Sequence, residues 1–287
     1  MQREKAFVYI DSNFSLGEIL MLKMAFNSSE FEIVGLSSVA SFMTSPAAAE
    51  NMLAMAGMED LILPIAEGAS KNIKGQDIIP LNDDIAYFTN PNDYLLEKKG
   101  HENLYDLAKD CGKLDIIASG PLTNIARAIK EYDDFTDYVD HIFLFGSSFG
   151  MGDISRESEF NFFTDPKACN IVFSSGIETF ILPLDLASKF YLPDEVIKHK
   201  TSDKVLGKIQ ELYKNIAKDN RDVSRALLLY MMMVPEAFIF EQKAIKVDEK
   251  VNRGKILETN SKNKKFIANR VNEESFLDFI KSRLGVG

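Results

Sequence analysis

Short apolar runs alternate with stretches of helical spacing through the first two-thirds of the chain. Runs at 7–10, 32–38, 61–66, 114–118, 141–146 and 178–183 read as buried strands. Between them, "SPAAAENMLAMAG", "NDYLLEKKGHENLYDLAKDCG", "GPLTNIARAIKEY" and "DPKACNIVFSSG" carry helical periodicity with Gly or Pro at their ends. Continuous apolar strands separated by helices predict an α/β fold: a mostly parallel central sheet, helices on both faces, an open Rossmann-like core. Residues 202–233 predict one or two long helices, with "RDVSRALLLYMMM" apolar on most faces and therefore buried. The last 45 or so residues predict short strands and a closing helix capped by Asn272. Without an internal repeat, a low-complexity tract or a linker, residues 1–287 read as one domain.

Open α/β sheets bind ligands at the carboxyl ends of their strands. Asp11, Ser119 and the residues after Phe145 are therefore expected to converge. The first strand ends on Asp11, and the loop beyond it holds Asn13, Gly17 and Glu18 ahead of an apolar helix. Each has a plainer reading. Asp11 serves equally as the N-cap of that helix, Asn13 and Gly17 suit a turn, and Glu18 suits a solvated first turn where it complements the helix dipole. Thr123 and Asn124 read as the structural opening of a helix. His101, His141 and His199 lack an acid-and-nucleophile context and read as surface or strand-end residues.

Composition narrows the partners. A net charge of −10 argues against nucleic acid. Two cysteines far apart signal neither a disulfide framework nor a zinc cluster. No stretch approaches the ~20 apolar residues of a membrane span, and "MQREKAF" lacks a signal-peptide core. The expectation is a cytoplasmic protein with a small-molecule partner.

Several segments together resemble the inosine–uridine-type nucleoside hydrolases. The most specific are "FGSSFGMGDISRESEFNFFTDPKACNIVFSSG" at 145–176 and "IIASGPLTNIARAI" at 116–129; "EIVGLSSVA", "LPIAEGA" and "NRGKILETN" follow the family's order. The resemblance implies hydrolysis of the N-glycosidic bond of ribonucleosides, with one calcium ion holding the ribose hydroxyls and the attacking water. It also implies a nearby Asp as base and a dimeric or tetrameric assembly. In that pattern the acids come from Asp-x-Asp-x-x-x-Asp-Asp after the first strand and from a His-Asp pair on a late helix.

This chain departs from the pattern. Asp11 fits, but Asn13 stands at the general-base position, and a carboxamide takes no proton at neutral pH. Gly17 removes a sugar-binding carboxylate; Glu18 keeps a charge one methylene further out. A gapless match of the late helix puts Ser224 and Arg225 at the His-Asp pair, whereas a three-residue slip gives Arg221 and Asp222. Asp153 replaces an Asn, Phe145 a Met, and Phe42 an Asn; the family's His-Gly loop is absent from "NDDIAYFTNPND" at 82–93. Glu159 and Asn161, flanking Phe160, fit the pair that grips the ribose, although they also suit a loop tie.

The expected set is thus Asn13 and Glu18 at the catalytic positions, with Asp11, Phe145, Asp153, Glu159, Phe160, Asn161 and Arg225 around a nucleoside or ribosyl ligand. No bound calcium is expected, because a dication needs converging oxygens and net negative charge whereas Arg225 brings a cation. A non-catalytic ribosyl binder is the alternative. A haloacid dehalogenase-type phosphatase is a weaker one, since "DSNF" offers Asn13 where that chemistry needs a second acid.

Overall fold

Strands form where apolar residues run without interruption, and turns where Gly, Pro or polar residues break them. The computed structural model describes residues 5–89 and 94–286. The first half runs β1 (Ala6–Ser12), α1 (Leu16–Phe26), β2 (Phe31–Val39), α2 (Ser45–Met58), β3 (Ile65–Ala69), α3 (Gly100–Cys111), β4 (Leu114–Ala118) and α4 (Thr123–Glu131). It continues through β5 (Val139–Phe145), α5 (Phe160–Thr164), α6 (Pro166–Ser174), β6 (Glu178–Leu182), α7 (Leu184–Ala187) and α8 (Asp194–Lys198). The remainder is α9 (Lys204–Lys214), α10 (Ser224–Met233), β7 (Phe238–Lys243), β8 (Ile245–Val247), β9 (Ile256–Glu258), β10 (Lys265–Val271) and α11 (Glu273–Arg283).

Eight strands pair in the order β3-β2-β1-β4-β5-β6-β10-β7, and β8-β9 form a separate antiparallel pair. All neighbours in the large sheet are parallel except β10 and β7. Val8 and Ile10 of β1 join one apolar cluster with α1, α2, α9 and α10, while Tyr9 joins the other with α3, α4 and α6. The period of two along a strand thus fills a core on each face. The order reverses between β1 and β4, which opens a crevice at their carboxyl ends. No helix among the described residues is long and apolar enough to cross a membrane.

Three expectations need correction. The run at 61–66 is not the third strand, which covers Ile65–Ala69. Pro64 has no N–H to donate, so only its carbonyl joins the sheet, accepting from Leu36 N at 2.9 Å. The helix expected across 92–112 begins at Gly100, where Lys99 N donates to Glu102 Oε2 at 2.9 Å; residues 90–93 lie outside the described residues. His101 is buried rather than superficial, its Nε2 2.9 Å from Glu131 Oε2. The long apolar stretch at 202–233 is two helices, α9 and α10, and Asn272 caps α11 through Ser275 N at 3.0 Å.

Candidate functional site

The crevice is built on strained backbone. Phe14 after β1 and Ser147 after β5 have φ of 54° and 76°, a left-handed geometry that non-glycine residues seldom hold. Phe14 is kept there by burial, its ring edge-on to Phe88 at 6.2 Å.

Asp11, the penultimate residue of β1, is fully buried. Its Oδ1 accepts from Ser37 Oγ at 2.6 Å and from Asn124 Nδ2 at 2.7 Å. Asn124 also donates to Ser38 O at 2.8 Å and accepts from Ala69 N at 2.9 Å, tying β1, β2 and β3 to the start of α4. Burial lifts the Asp11 carboxyl to about 7 against those two hydrogen bonds. Asp11 is not the N-cap of α1. That place belongs to Ser15, whose N and Oγ both donate to Glu18 Oε2 in a capping box. Glu18 is therefore fully buried, not a solvated first-turn acid. Asn13, also buried, donates to Ser41 Oγ at 2.9 Å and accepts from Ser15 N at 3.3 Å.

Arg225 reaches this place from the first turn of α10. Its guanidinium lies 3.8 Å above the Phe145 ring centroid. Nε is 3.5 Å from Glu18 Oε1, and Nη1 donates to Ser224 Oγ at 2.7 Å and stands 3.5 Å from Asp222 Oδ2. Burial opposes its charge, but Glu18, Asp222, Glu159 and Asp153 outweigh that and hold the proton more tightly than in an ordinary guanidinium. Gly17 makes the approach possible. A Cβ there would stand 2.7 Å from Asp222 Oδ2 and 3.6 Å from Arg225 Cδ. Both alternatives for the late helix thus have structural content, since Asp222 and Arg225 face the same place.

The opposite wall carries the other candidates. Glu159 caps α5, Oε1 accepting from Asn161 N at 2.9 Å and Oε2 from Phe162 N at 3.2 Å and Ser147 N at 3.3 Å. Burial first, and then Asp153, push its carboxyl up to about 8. Asn161 donates to Ser119 O at 3.1 Å and to Phe145 O at 3.2 Å, joining the ends of β4 and β5. Asp153 accepts from Phe160 N at 2.8 Å, and burial raises it too. Phe160 enters this network through its backbone.

A cleft of about 350 Å³ opens between Phe145, Asp153, Phe190, Tyr191, Asp222 and Arg225. Among the described residues seven buried side-chain polar atoms lack a partner, and five of them belong to Asp11, Glu18, Ser147, Ser148 and Arg225. Orphaned buried polar atoms are rare because each costs ~1–3 kcal/mol. Glu18 Oε1 and Arg225 Nε face each other at 3.5 Å, whereas Asp11 Oδ2 and the Ser147 and Ser148 hydroxyls, at the ends of β1 and β5, mark a place shaped for a polar ligand. Among the described residues, no three His, Cys, Asp or Glu side chains stand close enough to share a metal ion.

Sequence reasoning passed over Ser37, Ser41 and Ser148, and it read Asn124 as structural. The signal for Ser37 and Ser41 was a run of small polar residues at an otherwise apolar strand end, "LSSVAS", and for Ser148 the same pattern after β5, "FGSSFG".

The family described as inosine-uridine preferring nucleoside hydrolase matches residues 8–278. Uridine nucleosidase 1 of Arabidopsis thaliana is 30% identical over 227 residues, which are 74% of this chain and 66% of that protein. The plant nucleoside hydrolase PpNRh1 superposes with a TM-score of 0.89 at 19% identity, covering 99% of this chain and 100% of that one. The purine-preferring ribonucleoside hydrolase from Gardnerella vaginalis gives 0.88 at 20% identity, covering 97% and 98%. At those identities the two structures speak for the fold.

Proposed function

Because the chain belongs to the inosine-uridine preferring nucleoside hydrolase family, we propose that its crevice binds the ribosyl part of a ribonucleoside and that calcium-assisted hydrolysis is lost or strongly impaired. The observation that carries this is the Arg225 guanidinium, stacked on Phe145 and facing Glu18.

The donor set does not suit calcium. Such an ion takes six to eight oxygens at roughly 2.3–2.6 Å, several of them carboxylate. Here Asn13 offers a neutral amide already engaged with Ser41 and Ser15. Asp11 Oδ1 is taken by two donors, Ser119 O accepts from Asn161, and Glu18 Oε1 faces a cation at 3.5 Å. A guanidinium fixed beside Glu18 supplies the positive charge a metal would bring, without the open positions that activate water.

What remains suits recognition. Asp153, Ser188 and Asp222 on the cleft, with the unpartnered Asp11 Oδ2 and Ser147 and Ser148 hydroxyls at the ends of β1 and β5, are donors and acceptors suited to sugar hydroxyls. Phe145, Phe190 and Tyr191 give the cleft apolar walls, and its volume is in the range of small-molecule sites, roughly 300–1,000 Å³. The relatives named above are called uridine-acting and purine-preferring, so no base is singled out. Cytoplasmic placement and a homodimer or homotetramer rest on sequence and family alone; light scattering tests the assembly.

The decisive experiment measures ribose release from inosine and uridine with calcium and with chelator, beside calorimetric titration of the same nucleosides. Binding without chelator-sensitive release is expected. Chelator-sensitive turnover would overturn the impairment, and absence of binding the recognition.

A further inference from the structure

Asp222 lies outside every helix and strand, yet its backbone is tightly held. Tyr213 Oη donates to Asp222 O at 2.5 Å and lies 3.4 Å from Leu16 O, Asp222 bridges to Tyr191, and Leu192 N donates to Arg221 O at 3.0 Å. Tyr213 is fully buried in α9, so the segment before α10 is pinned to the first residue of α1.

The side chain divides its two oxygens. Oδ1 accepts from Ser224 N, the first residue of α10, at 2.8 Å. Oδ2 is directed at α1, where it fills the space a Cβ on Gly17 would claim. Its remaining neighbour is Arg225 Nη1 at 3.5 Å, longer than the ~2.7–2.9 Å of a strong charged hydrogen bond. That oxygen keeps acceptor capacity, and the side chain is 44% exposed and lines the cleft. An ionised carboxylate with a free oxygen, steadied by a guanidinium, is a natural acceptor for neighbouring sugar hydroxyls.

We propose that Asp222 supplies, from the segment before α10, the ligand-gripping carboxylate at the mouth of α1, and that Gly17 is the vacancy that admits it. The inference rests on the ribosyl reading above and deepens it by naming a residue that takes the hydroxyls. Gly17, Asp222 and Arg225 form one unit. A side chain at 17 displaces the carboxylate, and without the carboxylate the guanidinium loses its outer support.

The test is a set of variants titrated calorimetrically with D-ribose, inosine and uridine. Asp222→Ser keeps an oxygen able to accept from Ser224 N but removes the acid. Gly17→Ala leaves the acid in place chemically while driving it from its position. Gly17→Asp combined with Asp222→Ser moves a carboxylate to α1. Each of the first two is expected to weaken binding at least about tenfold, the loss of a charged hydrogen bond, and the combined variant to recover most of it. Unchanged thermal midpoints for Asp222→Ser and the combined variant separate recognition from folding. Wild-type affinity retained in Asp222→Ser overturns this inference and leaves the ribosyl reading standing. A loss that the combined variant does not restore reduces Asp222 to a structural support of the turn before α10 and overturns it as well. No binding by the wild-type chain overturns both.

Discussion

Replacing Arg225 by Ala tests how the site is held together. Glu18 is fully buried and has Arg225 as its cation, with Nε 3.5 Å from Oε1. Removing one member of a buried pair costs ~3–5 kcal/mol, since the other charge stays desolvated. The 3.5 Å separation and the capping contacts from Ser15 to Oε2 place this case at the lower end. The guanidinium stack on Phe145 adds ~1–2 kcal/mol, and the freed side-chain entropy returns a similar ~1–2 kcal/mol. A net destabilisation of about 3 kcal/mol is expected, a large share of a typical ~5–15 kcal/mol. Urea unfolding at unchanged m-value reads it as a lower midpoint. Glu18→Gln keeps the capping box and removes the charge, so Arg225→Ala should cost less in that background, by about 1–2 kcal/mol. A loss below about 1 kcal/mol, or equal losses in both backgrounds, would refute the claim that Arg225 is the counter-charge of Glu18.

Other consequences are open to measurement. Asn13→Asp, Gly17→Asp and Arg225→Asp introduced together should create calcium binding in calorimetry where the wild type shows none; a folded variant that stays silent would place the metal determinants elsewhere. Asp11 is raised from 3.8 to about 7 in the folded state, so the stability it contributes is present below its ordinary range and lost as pH rises through 7. Asp11→Asn should flatten that fall, which is on the order of 4 kcal/mol for a shift from 3.8 to about 7. His141, whose Nδ1 lies 2.8 Å from Asp115 Oδ1, is raised by that hydrogen bond; its contribution is present below 6.5 and fades as pH climbs through the higher folded value. His141→Gln should remove only a few tenths of a kcal/mol, because the ring is partly solvated. Lys23, buried with Glu59 at 2.7 Å and Asp203 at 2.5 Å, fastens α1 to α2 and α9; Lys23→Met should cost about 2–3 kcal/mol in chemical denaturation by stranding two acids.

The central strands were legible because a strand covered on both faces is apolar over most of its length, and β1, β4, β5 and β6 keep their polar residues at or near one end. The outer elements were not. β7 reads "FIFEQK", with only Phe238 buried, because an edge strand answers to water on one side. β10 begins on Lys265, a buried lysine whose amine burial lowers to about 8 and which donates to Asn263 Oδ1 at 2.9 Å, a polarity that disguises a strand. At 61–66 the apolar content was real, but Pro64 moved the hydrogen-bonded strand onward to "IAEGA".

At the site, composition and contact part company. Charge counting after β1 finds Asp11 and Glu18, a depleted set, and it ends there because linear sequence cannot show which distant side chain faces a glycine. Gly17 reads as a turn residue on its own, and Asp222 only as the slipped alternative to the Ser224-Arg225 match of the late helix. In three dimensions the missing Cβ of one and the Oδ2 of the other compete for one volume, and Arg225 borders it. The three positions therefore constrain one another. A bulkier residue at 17 excludes Asp222, losing Asp222 leaves the guanidinium to Glu18 and Ser224, and a neutral residue at 225 leaves Glu18 buried without its cation. That mutual dependence distinguishes a rebuilt pocket from a decayed one: random loss of an acid would leave a facing buried charge unanswered, whereas here the added cation stands beside Glu18 and Asp222.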